Sequence, residues 1–198
     1  MRIARFLAQV ALGAALLVTG AVTPTIVLAN DKAPPKVALS NAFMGNAWRR
    51  SMITAFEEAA AKAEKDGLIS SWKVSNAPGE NSATEQIAQL KALLLEQPDI
   101  LLVNPASATT LNPTLQQACD QGVVVVVFDS STELKCAYLV TNSFGDWARL
   151  STSAVLDAIG NKGNVVIARG VQGSPPDQEM YAVQSELVKA HPDVKVVA

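Results

Sequence analysis

From residue 36 onward, short aliphatic runs alternate with longer segments whose apolar residues recur every three or four positions. That alternation narrows the fold more than any other property of the chain. The runs at 36–41, 72–76, 99–103, 123–128, 138–141, 164–168 and 194–197 have the length of strands. The intervening segments 47–66, 108–121, 144–159 and 176–190 have helical length and spacing. In the first, Trp48, Met52, Phe56, Ala59 and Ala63 make one stripe, and Gly67 stops it. A further helix opens at Ser82, with Glu85 completing a capping box. Its buried stripe is Ala83, Ile87, Leu90 and Leu94, and Pro98 follows its end. Pro113 requires the helix over 108–121 either to hold it in the first turn or to start late. The unbroken apolar run 123–128 predicts a strand buried on both faces of a parallel sheet. A strand–helix succession with short connections predicts an α/β fold: a Rossmann-like open parallel sheet with helices on both faces.

Residues 1–29 stand outside this pattern. Arg2 and Arg5 form a positive start, 6–18 is an uncharged stretch rich in Ala and Leu, and Val27 and Ala29 occupy the −3 and −1 positions before Asn30. That order predicts a secretory signal cleaved after Ala29, with an uncleaved membrane anchor as the alternative. No Cys lies near the cut, which argues against a lipid-anchored form. A short polar linker over 30–35 follows, so the mature chain is expected in the periplasm.

The 16 basic and 18 acidic side chains leave a formal charge of −2 with no basic stripe, which excludes a nucleic-acid partner. Two cysteines remain, Cys119 and Cys136. An oxidising compartment favours a disulfide between them, and two buried free thiols are the alternative.

In open α/β sheets ligands bind beyond the carboxyl ends of the strands. Those ends carry Asn41, Phe43, Asn46, Trp48 and Arg49 after the first strand, and Asn76 after the second. Asn104 follows the third strand, Asp129 with Ser130 the fourth, Asn142 the fifth, and Arg169 with Gly170 the run 164–168. Amides, a carboxylate and a guanidinium can bridge neighbouring hydroxyls while an aromatic ring covers the C–H face of a sugar. Asn41, Asn76 and Asn104 also suit helix caps or turns, and Trp48 also suits the first core position of its helix. Asp129 is the strongest candidate, because an unpaired carboxylate closing an apolar strand is costly unless it has a use.

Catalytic constellations do not occur. The single histidine, His191, precedes a proline at a helix end, and no nucleophile elbow, phosphate loop or paired-histidine motif is present. Two Cys and one His do not make an ordinary zinc site. A non-catalytic chain without metal or cofactor is expected.

The order of motifs resembles the type I (ribose-binding-like) periplasmic sugar-binding proteins of bacterial ABC importers. Asn46-Ala47-Trp48-Arg49, Gln86-Ile87 with Leu90, residues 99–106, residues 122–129, Gly163-Asn164-Val165-Val166 and Gly173-Ser174-Pro175 carry the resemblance, which spans 36–198. It implies two Rossmann-like lobes, the first over 36–141 and the start of a second over 142–198, closing on a monosaccharide. It places Asn46, Trp48 and Arg49 in a ligand-contacting segment, with Trp48 as the stacking ring and Asp129 as the acid that holds sugar hydroxyls. Asn41, Phe43, Asn104 and Gln178 complete the candidate set. Ser130 stands where several members have Arg, and Asp177-Gln178-Glu179-Met180 lacks the Arg that members commonly supply there.

Members of that group run well beyond this length, so a fragment or truncated product that binds sugar weakly or not at all is the expectation for the chain alone. The implied partners are a monosaccharide and an inner-membrane ABC permease, with the receptor a monomer. The competing reading is a sugar-sensing ectodomain tethered by an uncleaved N-terminal helix.

Overall fold

Alternation in the sequence becomes alternation in space in the computed structural model, which describes residues 33–77 and 80–198. The export signal and most of the linker expected after it lie outside the described residues. In chain order the elements are β1 (Lys36–Asn41), α1 (Ala47–Lys65), β2 (Ser71–Asn76), α2 (Ala83–Leu95), β3 (Ile100–Asn104) and α3 (Asn112–Asp120). Then come β4 (Val124–Phe128), β5 (Tyr138–Val140), α4 (Phe144–Ala158), β6 (Gly163–Val165), α5 (Pro175–Lys189) and β7 (Val194–Val196).

Five strands form one parallel sheet in the order β2-β1-β3-β4-β5, and β6 pairs in parallel with β7. Helix starts follow local chemistry. The Asn46 side chain accepts from the Arg49 amide, Ser82 from Glu85 and Ser143 from Asp146, each satisfying a donor that the first turn leaves free. Helix α3 takes the late start, at Asn112 with Pro113 in its first turn. Pro113 has no N–H and its ring crowds the carbonyl four residues back, so 108–111 turn rather than coil. The Ser107 hydroxyl holds those turns by accepting from the Thr109 and Thr110 amides.

Right-handed crossovers put α1, which leads away from β1 to β2, on one face of the sheet and α2 and α3 on the other. The core lies under α2 and α3: Leu90, Leu93 and Leu94 of α2 and Leu111, Leu115 and Ala118 around α3 pack on Ala38, Leu101, Val103, Val125 and Val127. The face under α1 is covered beneath β1 and β2 but not beneath β4. The expectation that β4 is buried on both faces is therefore corrected. Val125 and Val127 are buried, but Val124 on the opposite face is 43% exposed, because no described helix reaches it.

Strand β6 covers 163–165 rather than 164–168. It has a single neighbour, and the chain leaves the ladder after Val165 with one further bond, from the Ile167 amide to the Ala198 carbonyl at 3.1 Å. Cys119, near the end of α3, is joined by a disulfide to Cys136, which ties the connection between β4 and β5 onto that helix. Among the described residues no helix is long and apolar enough to cross a membrane.

Candidate functional site

Strands β1 and β3 are neighbours whose connections leave in opposite directions, and that switch point opens a crevice at their carboxyl ends. Parallel register brings three amides into one row there: Asn41 lies opposite Asn76 on one side and Asn104 on the other. Asn41 is fully buried and fully used. Its Nδ2 donates to Asn76 Oδ1 at 2.9 Å and to the Phe43 carbonyl at 2.8 Å, and its Oδ1 accepts from Arg49 Nη1 at 2.8 Å.

Behind the row, Gln86 of α2 fixes the end of β3. Its Nε2 donates to the Asn104 carbonyl at 3.0 Å and to Ser40 Oγ at 3.1 Å, and its Oε1 accepts from the Ala106 amide at 2.8 Å. Asn104 differs from Asn41. It is 0% exposed, yet neither side-chain atom finds a partner of hydrogen-bonding geometry among the described residues. Its amide faces the Asp129 carboxylate closely enough to help hold that group's pKa down.

Asp129 sits one residue beyond β4 with φ +49°, a left-handed conformation that is unfavourable for a side chain bearing a Cβ. Burial is the main influence on its carboxyl and raises its pKa above the ordinary carboxylate range; the positive charge of Arg49 and the Asn104 amide oppose the rise. Burial likewise lowers the Arg49 pKa, and Asp129 partly restores it. The two charges balance each other on one wall of the crevice without a direct ion pair.

The far wall comes from the second half of the chain. Arg169, just past β6, donates through Nε to Asp177 Oδ1 at 2.9 Å and through Nη2 to Oδ2 at 2.6 Å. Its Cζ lies 3.8 Å from the centre of the Tyr181 ring. The Gly170 amide also donates to Asp177 Oδ1, at 3.1 Å. Hydrogen bonding to Arg169 is the first cause that holds the Asp177 carboxyl below its usual range.

Between these walls is a cavity of about 570 Å³. It is lined from one side by Asn46, Trp48, Arg49 and Asp129, and from the other by Asn142, Trp147, Arg169 and Asp177. Trp48 is 50% exposed and lies 5.7 Å from the Arg49 guanidinium, so it presents a ring to the cavity rather than serving as a core residue. Trp147, 57% exposed, presents a second ring from the first turn of α4.

Of the candidates from the sequence, Asn46, Trp48, Arg49 and Asp129 thus come together on the cavity. Asn41 and Asn104 stand behind it, and Phe43 lines an adjoining cavity. Gln178 does not join them; it is exposed on α5 and outside the lining, one position past the inward-turned Asp177. Arg169 stood among the strand-end residues read from the sequence but, like Trp147 and Asp177, was not in the final candidate set. The signal for Trp147 was an aromatic pair three apart, with Phe144, at the start of the helix after Asn142. Among the described residues no cluster of three or more His, Cys, Asp or Glu could hold a metal ion.

Comparison with known proteins agrees with this fold. The family described as periplasmic binding protein domain matches residues 37–198. The galactofuranose-binding protein YtfQ of Escherichia coli K12 is 24% identical over 193 residues, which is 92% of this chain and 57% of that protein. The ribose import binding protein RbsB of Bacillus subtilis is 26% identical over 117 residues, 59% of this chain and 38% of that protein. A crystal structure of an ABC transporter solute-binding protein from Thermobispora bispora superposes with a TM-score of 0.79 at 58% identity, over 83% of this chain and 51% of that one. The structure of a galactofuranose-binding protein shares the fold, with a TM-score of 0.71 at 22% identity over 83% of this chain and 55% of that one. The chain thus spans about half the length of these relatives.

Proposed function

This chain belongs to the periplasmic binding protein domain family, and from that premise we propose that it is the exported solute receptor of an ABC-type carbohydrate importer. The observation that carries the reading is one cavity in which an exposed indole face, Trp48, stands beside the planar hydrogen-bonding groups of Arg49 and Asp129. Sugars need both: apolar C–H faces stack on rings, and adjacent hydroxyls bridge planar acceptors and donors. The charges on the walls favour a neutral ligand, since Arg49 is offset by Asp129 and Arg169 by Asp177.

In this reading a monosaccharide ring lies against Trp48, Asp129 accepts from its hydroxyls, and the protein performs no chemistry on it. Residues 36–141 make one lobe and 142–198 begin the other, and closure of the cavity signals occupancy to a membrane permease. Cleavage after Ala29 releases the receptor into the periplasm as a monomer. The names of the relatives, which bind galactofuranose and ribose, agree with a five- or six-carbon sugar.

The test is calorimetric titration of the full-length gene product with a panel of pentoses and hexoses. Micromolar binding of a neutral sugar, weakened by Trp48→Ala, is expected. Binding of none of them, or binding indifferent to Trp48, overturns the proposal.

A further inference from the structure

We infer that the cleft is bipartite and that its ligand carries a second unit beyond the ring on Trp48, as in a disaccharide or a glycoside. The inference rests on the sugar-binding reading and narrows its ligand class.

A second cavity, of about 540 Å³, adjoins the first. Asn46, Gly170 and Val171 line both, so the two lie side by side. Small-molecule sites fall at about 300–1,000 Å³, so either compartment alone accommodates one small ligand. A single ring against Trp48 leaves the other compartment to solvent.

That compartment repeats the chemistry of the first. Its aromatic face is Phe43, with Glu80, Asn81 and Gln172 around it. The ring is held in place from beneath: a Cβ on Gly45 would lie 2.2 Å from Phe43 Cζ, so the ring rests where only glycine leaves room. Asn81 adopts φ +44°, the second positive-φ residue with a side chain at this edge of the fold. Its Nδ2 donates to the Ala106 carbonyl at 3.2 Å, while its Oδ1 is buried and finds no partner among the described residues. A strained backbone that holds a desolvated, unused acceptor is the usual mark of a binding position.

At the junction, Asn46 commits its Oδ1 to the Arg49 amide at 2.8 Å, and no partner for its Nδ2 occurs among the described residues. A donor is thereby available where the oxygen linking two units would pass.

The experiment is calorimetry on the full-length gene product with D-ribose, L-arabinose, D-galactose and D-allose, their methyl glycosides, and the disaccharides melibiose and lactose. Wild-type protein is expected to bind a glycoside or disaccharide about tenfold or more tightly than its parent monosaccharide. Asn81→Gly, which keeps the backbone comfortable, and Gln172→Ala are each expected to remove that preference while leaving the parent's affinity unchanged. A monosaccharide that binds better than every two-unit sugar overturns the bipartite cleft and leaves sugar binding intact. A two-unit preference that survives both variants also overturns it, because the second unit then lies elsewhere. If no sugar binds, both proposals fail.

Discussion

Arg49 Nη1 donates to Asn41 Oδ1 at 2.8 Å, so a guanidinium carried by the first turn of α1 is aimed by the last residue of β1. The helix supplies the group and the strand decides its direction. Asn41 is in turn held by Asn76 and by the Phe43 carbonyl, which makes the row of amides across the strand ends a support for one buried charge.

Replacing Asn41 with Leu keeps the volume and removes the support. The Arg49 guanidinium is then left buried without its side-chain partner, at a cost of about 3 kcal/mol. Urea denaturation measures that loss directly. Asn76→Ala, which removes one bond from a less buried position, is expected to cost well under half as much.

Asp129 and Asp177 predict opposite pH behaviour. Burial raises the Asp129 pKa, so its contribution to stability is present below the unfolded carboxyl value and is lost as pH rises through the folded one. Asp129→Asn is therefore expected to gain thermal stability at pH 7 over wild type, with the gain vanishing under acid conditions. The same variant loses about tenfold to a hundredfold in ligand affinity, because an ionised acceptor becomes a neutral amide.

The Asp177 pKa is lowered, chiefly by Arg169, so its stabilisation is present above the unfolded carboxyl value and fades as pH falls through the folded one. Asp177→Asn is expected to melt below wild type at pH 7, and the two melting curves converge as the pH drops below about 4. A difference that persists in acid would falsify the assignment of the effect to the carboxylate.

The disulfide between Cys119 and Cys136 spans a separation of 17 residues. Chain entropy for a loop of that size corresponds to about 3 kcal/mol. The double variant Cys119→Ala with Cys136→Ala is expected to lose about that much stability by urea denaturation. Ligand affinity is expected to fall as well, because the tethered connection begins at Asp129.

Three tryptophans report on different places. Trp48 and Trp147 line the cavity, whereas Trp72 packs edge-on against Phe56 and donates to Glu64. Sugar titration is expected to change intrinsic fluorescence in wild type and in Trp72→Phe, and to change it much less in Trp48→Phe. An undiminished signal in Trp48→Phe would place the sugar away from that ring.

The elements were legible because their signals are local. Spacing of three and four, the Ser82 cap and the glycine stops each act within a few residues, and the helices and strands formed where those signals pointed, apart from β6, which stops at Val165. The general rule about strand ends likewise located Asn46, Trp48, Arg49 and Asp129. What local pattern left open was settled by packing. The run 123–128 reads as fully buried, but which face of β4 is covered depends on the hand of the crossovers that place α1, α2 and α3, and the face without a helix leaves Val124 exposed.

The sequence by itself determined the α/β alternation, the strand-end residues and the absence of catalytic motifs, since each is a property of neighbouring residues. Only the tertiary structure decided which of those residues meet. Arg169 and Asp177 are eight apart and meet because the chain turns back on itself between β6 and α5. Asn41, Asn76 and Asn104 form a row because parallel register aligns three strand ends from distant parts of the chain. Gln178 faces out and Asp177 in because a helix rotates about 100° per residue and the salt bridge selects which position turns inward.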